Sequence, residues 1–108
     1  MAGMAILKIF RGMEWAAFVE SGSFAGSADD LRDGFIHLSS SEQLEGTLRR
    51  RFADAAAVVI AELAVANDPA LRFEASRGGA LFPHLYRPLL WRDVLGHRAW
   101  PGEGRFEG

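Results

Sequence analysis

The sequence predicts a small α+β domain with two main helices, and three observations carry that prediction. Short apolar or alternating runs at residues 5–10, 35–39, 56–66, 71–75 and 82–86 have the residue types and the two-residue period of strands. Two stretches, one after Met13 and one after Ser40, space apolar residues three and four apart, as an amphipathic helix requires. Finally, Phe35-Ile36-His37-Leu38-Ser39 and Phe82-Pro83-His84-Leu85-Tyr86 both run aromatic, variable residue, histidine, leucine, hydroxyl. In an extended strand Phe35, His37 and Ser39 share one face, with Ile36 and Leu38 on the other. Two such segments imply one pocket lined from two strands.

The 108 residues are expected to form a single domain, with a core at about 5–100 and a fraying glycine-rich tail at 101–108. A chain of this size buries roughly two-thirds of its unfolded surface. Fourteen acidic residues against twelve basic ones give a formal charge of -2, which is no footprint for duplex nucleic acid. The absence of cysteine excludes disulfides, thiol catalysis and thiolate metal sites, and fits a reducing compartment. No apolar run approaches the eighteen or so residues of a membrane span, and residues 1–8 lack the pattern of a signal peptide. The expectation is a cytoplasmic protein without membrane contact, its oligomeric state open.

Taken in order, Ile6-Leu7-Lys8-Ile9-Phe10 is a strand that is apolar apart from Lys8, the single lysine. Trp15, Phe18 and Val19 mark the first helix, and Gly22 is placed to end it. Residues 21–34 read as a loop in which Asp29, Asp30 and Asp33 bracket Arg32. Such a loop either closes over a ligand or is a solvated connector. After the 35–39 strand, Ser39 with Glu42 and Ser40 with Gln43 form two overlapping capping boxes. The helix they start has Leu44, Thr47, Leu48 and Phe52 on one face, and Arg49-Arg50-Arg51 reads as solvated surface. Its N-terminus offers N–H groups to a phosphate or carboxylate.

Residues 56–66 read as a long strand with Glu62 on its outer face or at a sheet edge. Asn67-Asp68-Pro69 makes a turn. The next strand points Leu71, Phe73 and Ala75 inward, with Arg72 and Glu74 opposite. Ser76-Arg77-Gly78-Gly79-Ala80 is a glycine loop that lets backbone approach a ligand. Residues 89–95 are a strand or a short helical turn, and Trp15, Trp91 and Trp100 belong to the core or its rim.

His37 and His84 are the first candidates for chemistry, since an unperturbed imidazole titrates near neutrality. Each either moves protons, donates to a ribose or phosphate oxygen, or sits half-buried on a backbone carbonyl. Glu74 is either a pocket carboxylate or the partner of Arg72 or Arg77 in a surface ion pair. Tyr86 stacks on a ring, donates its hydroxyl, or packs in the core. Ser39 lacks a nucleophile elbow and reads first as a cap. No paired histidine spacing points to a metal, and none is expected.

The segments Asp33-Gly34-Phe35-Ile36-His37-Leu38-Ser39, Glu74-Ala75-Ser76-Arg77-Gly78-Gly79 and Phe82-Pro83-His84-Leu85-Tyr86 together resemble the bacterial family catalogued as domain of unknown function 952. A more distant resemblance concerns Ile36-His37-Leu38-Ser39, which is similar to the ADP-ribosyltransferase superfamily. The similarity is in particular to the RNA 2′-phosphotransferases, whose second core strand also reads His-Leu-Ser. That resemblance implies a split two-sheet β core with NAD held between the sheets. His37 and Ser39 match the second-strand motif, the first-strand histidine of those enzymes falls near Lys8, and a late catalytic glutamate would be Glu74. On this reading His37, Glu74 and His84 are catalytic. Lys8, Ser39, Ser40, Arg77 and Tyr86 hold a nucleotide or other small molecule, and NAD is the implied cofactor. The competing reading is a non-catalytic module that recognises a phosphorylated metabolite or a peptide terminus in the same cleft.

Overall fold

Strand β1 (Ile6–Arg11) is buried on both faces, which explains why its sequence is nearly continuous in apolar residues. The computed structural model describes residues 5–101, without the Arg77 side chain, so the expected fraying of the tail beyond Pro101 lies outside the described residues. Ile6 and Phe10 enter the main core with Ala61, Leu63, Leu85 and Leu89. Leu7 and Ile9 enter a second, smaller core with Leu44, Leu48, Val58 and Ile60. Around β1 an antiparallel sheet forms in the order β4-β1-β5-β9, from β4 (Ser39–Ser40), β5 (Val58–Leu63) and β9 (Val94–Trp100). Because β5 pairs with strands on both sides, Glu62 lies within the sheet and not at its edge.

Helix α1 (Gly12–Ser21) starts where the Glu14 carboxylate accepts the Arg11 N–H at 2.8 Å, and it ends at Gly22 with φ of 82°. Its Phe18 meets Phe10 and Phe24 in the main core. The sequence expectation fails at residues 21–34. Phe24 belongs to a two-stranded ribbon of β2 (Ser23–Phe24) with β8 (Leu89–Leu90), and a third helix, α2 (Ala28–Asp33), follows. Ser27 Oγ accepts the Asp30 N–H at 3.1 Å, and the Asp30 carboxylate accepts the Ser27 N–H at 2.9 Å. That reciprocal capping box nucleates a helix too short and too polar to show an apolar period.

Gly26 approaches α2 with φ of 136°, and a Cβ there would lie 2.7 Å from the Asp30 Cβ. Gly26→Ala is therefore expected to cost about 1–3 kcal/mol, read as a fall in the thermal midpoint.

The 35–39 segment is not one strand. β3 (Ile36–His37) belongs to a three-stranded sheet of order β3-β7-β6, with β7 (Leu81–Leu85) and β6 (Leu71–Ala75), whereas β4 joins the first sheet. The chain passes between them at buried Leu38, whose N–H donates to the Pro83 carbonyl at 3.0 Å. Among the described residues the architecture is thus α+β with three α-helices and three antiparallel sheets, where two main helices and two sheets were expected. Helix α3 (Ser41–Arg51) uses the second of its two capping registers, with the Ser40 N–H donating to Gln43 Oε1 at 3.0 Å.

The inward and outward faces of β6 are reversed from expectation. Phe73 is 43% exposed while Glu74 is half-buried, because β6 is an edge strand whose polar face turns toward β7 and its histidine. Residues 89–95 divide among β8, a 3-10 turn at Trp91–Asp93 and the start of β9. Arg87 clamps the turns on either side, donating to Asp68 at 2.9 Å and to Asp93 at 2.9 Å. Trp15 is half-buried, and Trp91 and Trp100 lie at the rim. Among the described residues no helix is long and apolar enough to cross a membrane.

Candidate functional site

Residues directly opposed in an antiparallel pair point to the same side of the sheet. His37 opposes His84, Arg72 opposes His84, and Glu74 opposes Phe82, so these five side chains share one face of the three-stranded sheet. Ile36, Pro83 and Leu85 occupy the other face and are buried. Burial of that apolar set fixes the register and holds the polar set outward. The Phe35 ring stacks on His84 with centroids 3.9 Å apart, and His37 meets His84 edge-on at 5.7 Å.

Both His84 and His37 are bound to carboxylates. His84 Nδ1 lies 2.8 Å from Glu74 Oε1, and the Tyr86 hydroxyl donates to the same oxygen at 2.7 Å. The Tyr86 hydrogen bond, with that of His84, holds the Glu74 carboxyl below its ordinary pKa, and Glu74 in turn pushes the Tyr86 hydroxyl up. His37 Nδ1 lies 2.6 Å from Asp30 Oδ1, and His37 Nε2 lies 3.0 Å from Asp33 Oδ2.

Asp30 is the centre of a buried network. Its carboxylate takes the Lys8 ammonium at 2.9 Å and the His37 backbone N–H at 3.0 Å, and Lys8 also donates to the His37 carbonyl at 3.2 Å. Burial pushes the Asp30 carboxyl up. The His37 ring, the Lys8 ammonium and the Ser27 and His37 N–H groups more than offset it, so its pKa lies well below the usual range. Asp33 is also held low, chiefly by Arg32, which donates to it at 2.9 Å.

The face borders a cleft of about 650 Å³, within the range of small-molecule sites. Four of the expected site residues line it: Lys8, His37, Ser39 and His84, joined by Phe82 from β7 and by Thr47, Arg50 and Arg51 from α3. The Lys8 ammonium is committed to Asp30, and buried Ser39 turns its hydroxyl to Thr47 at 3.4 Å. Ser40 caps α3 and does not line the cleft. Glu74 and Tyr86 also stand outside its wall, and reach it through the hydrogen bond of Glu74 to His84. Arg77 lies on a 3-10 turn between β6 and β7, and its side chain is outside the described part of the structure.

Sequence reasoning missed Asp30, Arg50 and Arg51. The Ser27-x-x-Asp30 spacing was the available signal for the first. Arg50 and Arg51 carried none, because a helix face beside a cleft and one in open solvent look alike in sequence. Arg51 pairs with Asp29 at 3.3 Å, and Arg50 has no hydrogen-bond or ion-pair partner among the described residues. Those residues contain no cluster of three or more histidine, aspartate or glutamate side chains placed to hold a metal. A smaller groove of about 290 Å³ beside Phe52 and Trp100 contains none of the expected site residues.

Comparison with solved structures finds protein CC0527 from Caulobacter crescentus. Its crystal structure is similar with a TM-score of 0.83 and 46% identity, over 88% of this chain and 84% of that one. A crystal structure of a double mutant of that protein gives the same values. Its solution NMR structure gives a TM-score of 0.78 and 47% identity, over 87% and 82% of the two chains. No match is found among functionally curated proteins. The family described as protein of unknown function (DUF952) matches residues 9–97. With that span and these relatives, the chain belongs to the DUF952 family.

Proposed function

We propose that the cleft binds a phosphorylated nucleotide of the NAD or ADP-ribose type, the ligand class of the ADP-ribosyltransferase-like fold that His37-Leu38-Ser39 resembles. The observation that carries this reading is the meeting of three ring side chains, His37, Phe82 and His84, with the unpartnered Arg50 in one cleft. Rings accept a planar base by stacking, and a guanidinium binds phosphate oxygens in bidentate fashion. Calorimetric titration of ADP-ribose and of NAD is the test. Wild-type protein is expected to bind, and Arg50→Ala to bind about tenfold to a hundredfold more weakly through loss of a charge-assisted contact. Absence of binding at millimolar nucleotide would overturn the proposal.

A second reading, in which the cleft holds a phosphorylated metabolite or a peptide terminus without turnover of NAD, is favoured by Lys8. By the resemblance the first-strand histidine of the transferases falls near Lys8, and the Lys8 ammonium is committed to Asp30, leaving it unsuited to a ribose contact. Under that reading NAD incubated with the protein releases no nicotinamide.

A further inference from the structure

The two histidines are held in complementary hydrogen-bonding states. Glu74 accepts the Tyr86 hydroxyl and His84 Nδ1 on one oxygen, which places the ring hydrogen on Nδ1. Among the described residues His84 Nε2 has no hydrogen-bond partner, and His84, though only 6% exposed, lines the cleft. In that tautomer Nε2 carries a lone pair, the arrangement of a general base. His37 differs, having a carboxylate oxygen at each nitrogen, at 2.6 and 3.0 Å. Both contacts are satisfied together only when both nitrogens carry hydrogen, the arrangement of a general acid. Its Nε2 partner, Asp33, is partly exposed and already held by Arg32, so an incoming anionic oxygen can replace it.

We infer that His84 and His37 are the base and acid of a phosphodiester hydrolase acting on a ribonucleoside phosphodiester in this cleft. The inference rests on the reading that the cleft takes a phosphorylated nucleotide. His84 Nε2 takes a proton from water as the water oxygen forms its bond to phosphorus. The bond from phosphorus to the leaving oxygen breaks, its electron pair stays on that oxygen, and His37 Nε2 supplies the proton. Water is the single co-reactant, and Arg50 faces the charge that builds on the phosphoryl oxygens. A route through a phosphoserine has no support, since the Ser39 hydroxyl faces Thr47.

The charged and titratable groups around His84 are Glu74 and Arg72 on β6, Tyr86 on its own chain segment, and His37 on β3. Around His37 they are Asp30, Asp33 and Arg32 on α2, Lys8 on β1 and His84 on β7. One ring must be neutral and the other charged, so the rate is expected to follow a bell-shaped pH profile.

The experiment measures hydrolysis of 2′,3′-cyclic AMP by the wild-type protein, alongside calorimetry with ADP-ribose. Turnover with a bell-shaped profile is expected, with kcat lowered about 10²- to 10⁴-fold in His84→Ala and in His37→Ala. His37→Ala also opens the Asp30 network, so His84→Ala, checked for fold by circular dichroism, is the deciding variant. Glu74→Gln is expected to leave KM unchanged and to move one limb of the profile, which a merely structural role would not do. Binding of ADP-ribose without hydrolysis, or hydrolysis that survives His84→Ala in a folded protein, overturns this inference and leaves the nucleotide reading standing. Absence of both binding and hydrolysis overturns both.

Discussion

Asp30→Ala is expected to lower the free energy of unfolding by about 3–5 kcal/mol, the usual cost of leaving a buried charge without its partner. Lys8 would keep its ammonium in a site where the residue is only 5% exposed, with the His37 carbonyl as its remaining named contact. The same substitution removes the acceptor for the Ser27 N–H that closes the α2 capping box, and the acceptor for the His37 N–H and ring. Lys8→Met should cost much less. It removes the charge with its side chain, and Asp30 keeps the His37 and Ser27 donors. Urea unfolding of the two variants tests the comparison, and a larger loss for Lys8→Met would refute the network as described.

The same carboxylate sets a pH dependence. Its folded-state pKa is depressed, so its contribution is complete above the unfolded aspartate value of about 3.9 and is lost as pH falls below it toward the folded value. Stability of the wild-type protein should therefore fall through that acid window more steeply than stability of Asp30→Asn.

Phe10→Ala is expected to cost about 3–5 kcal/mol, as for other fully buried aromatic side chains. Phe10 is 0% exposed, and its ring lies 5.0 Å from Phe24, 5.1 Å from Trp15 and 5.5 Å from Phe18. These neighbours come from α1 and β2, so the cavity would open where the first sheet, the first helix and the two-stranded ribbon meet. Repacking of three large rings around a lost fourth is poor, since each is held in a specific edge or stacked contact. Phe73→Ala on the exposed side of the edge strand should by contrast change stability by less than about 0.5 kcal/mol. Thermal melts of both variants check the pair, with Phe10→Ala falling by at least about 10 °C.

Much of the scaffold was legible. β1 and β7 follow from apolar runs bounded by breakers, α1 from Trp15 and Phe18 with Gly22 as its stop, and α3 from the Ser40 and Gln43 box. Helix α2 was hidden because the side chain it buries is a carboxylate, and hydrophobic periodicity cannot register a helix that packs through an ion pair. Strand β6 shows a different limit. Its alternation set the period, but which half turned inward depended on what β7 presented across the register.

By itself the sequence placed His37 and His84 each on a short strand beside an aromatic residue, and the Phe35 ring does lie 4.6 Å from that of His37, although Ser39, expected on the same face, joins another sheet. Only the tertiary structure decided that the two histidines share a face, through the pairing of His37 with His84. It also decided that Lys8 is committed to an aspartate 22 residues away, and that Arg50 borders the cleft. Local geometry is written in spacing, whereas a partner for a buried charge is chosen by whichever distant segment the packing of the core brings beside it.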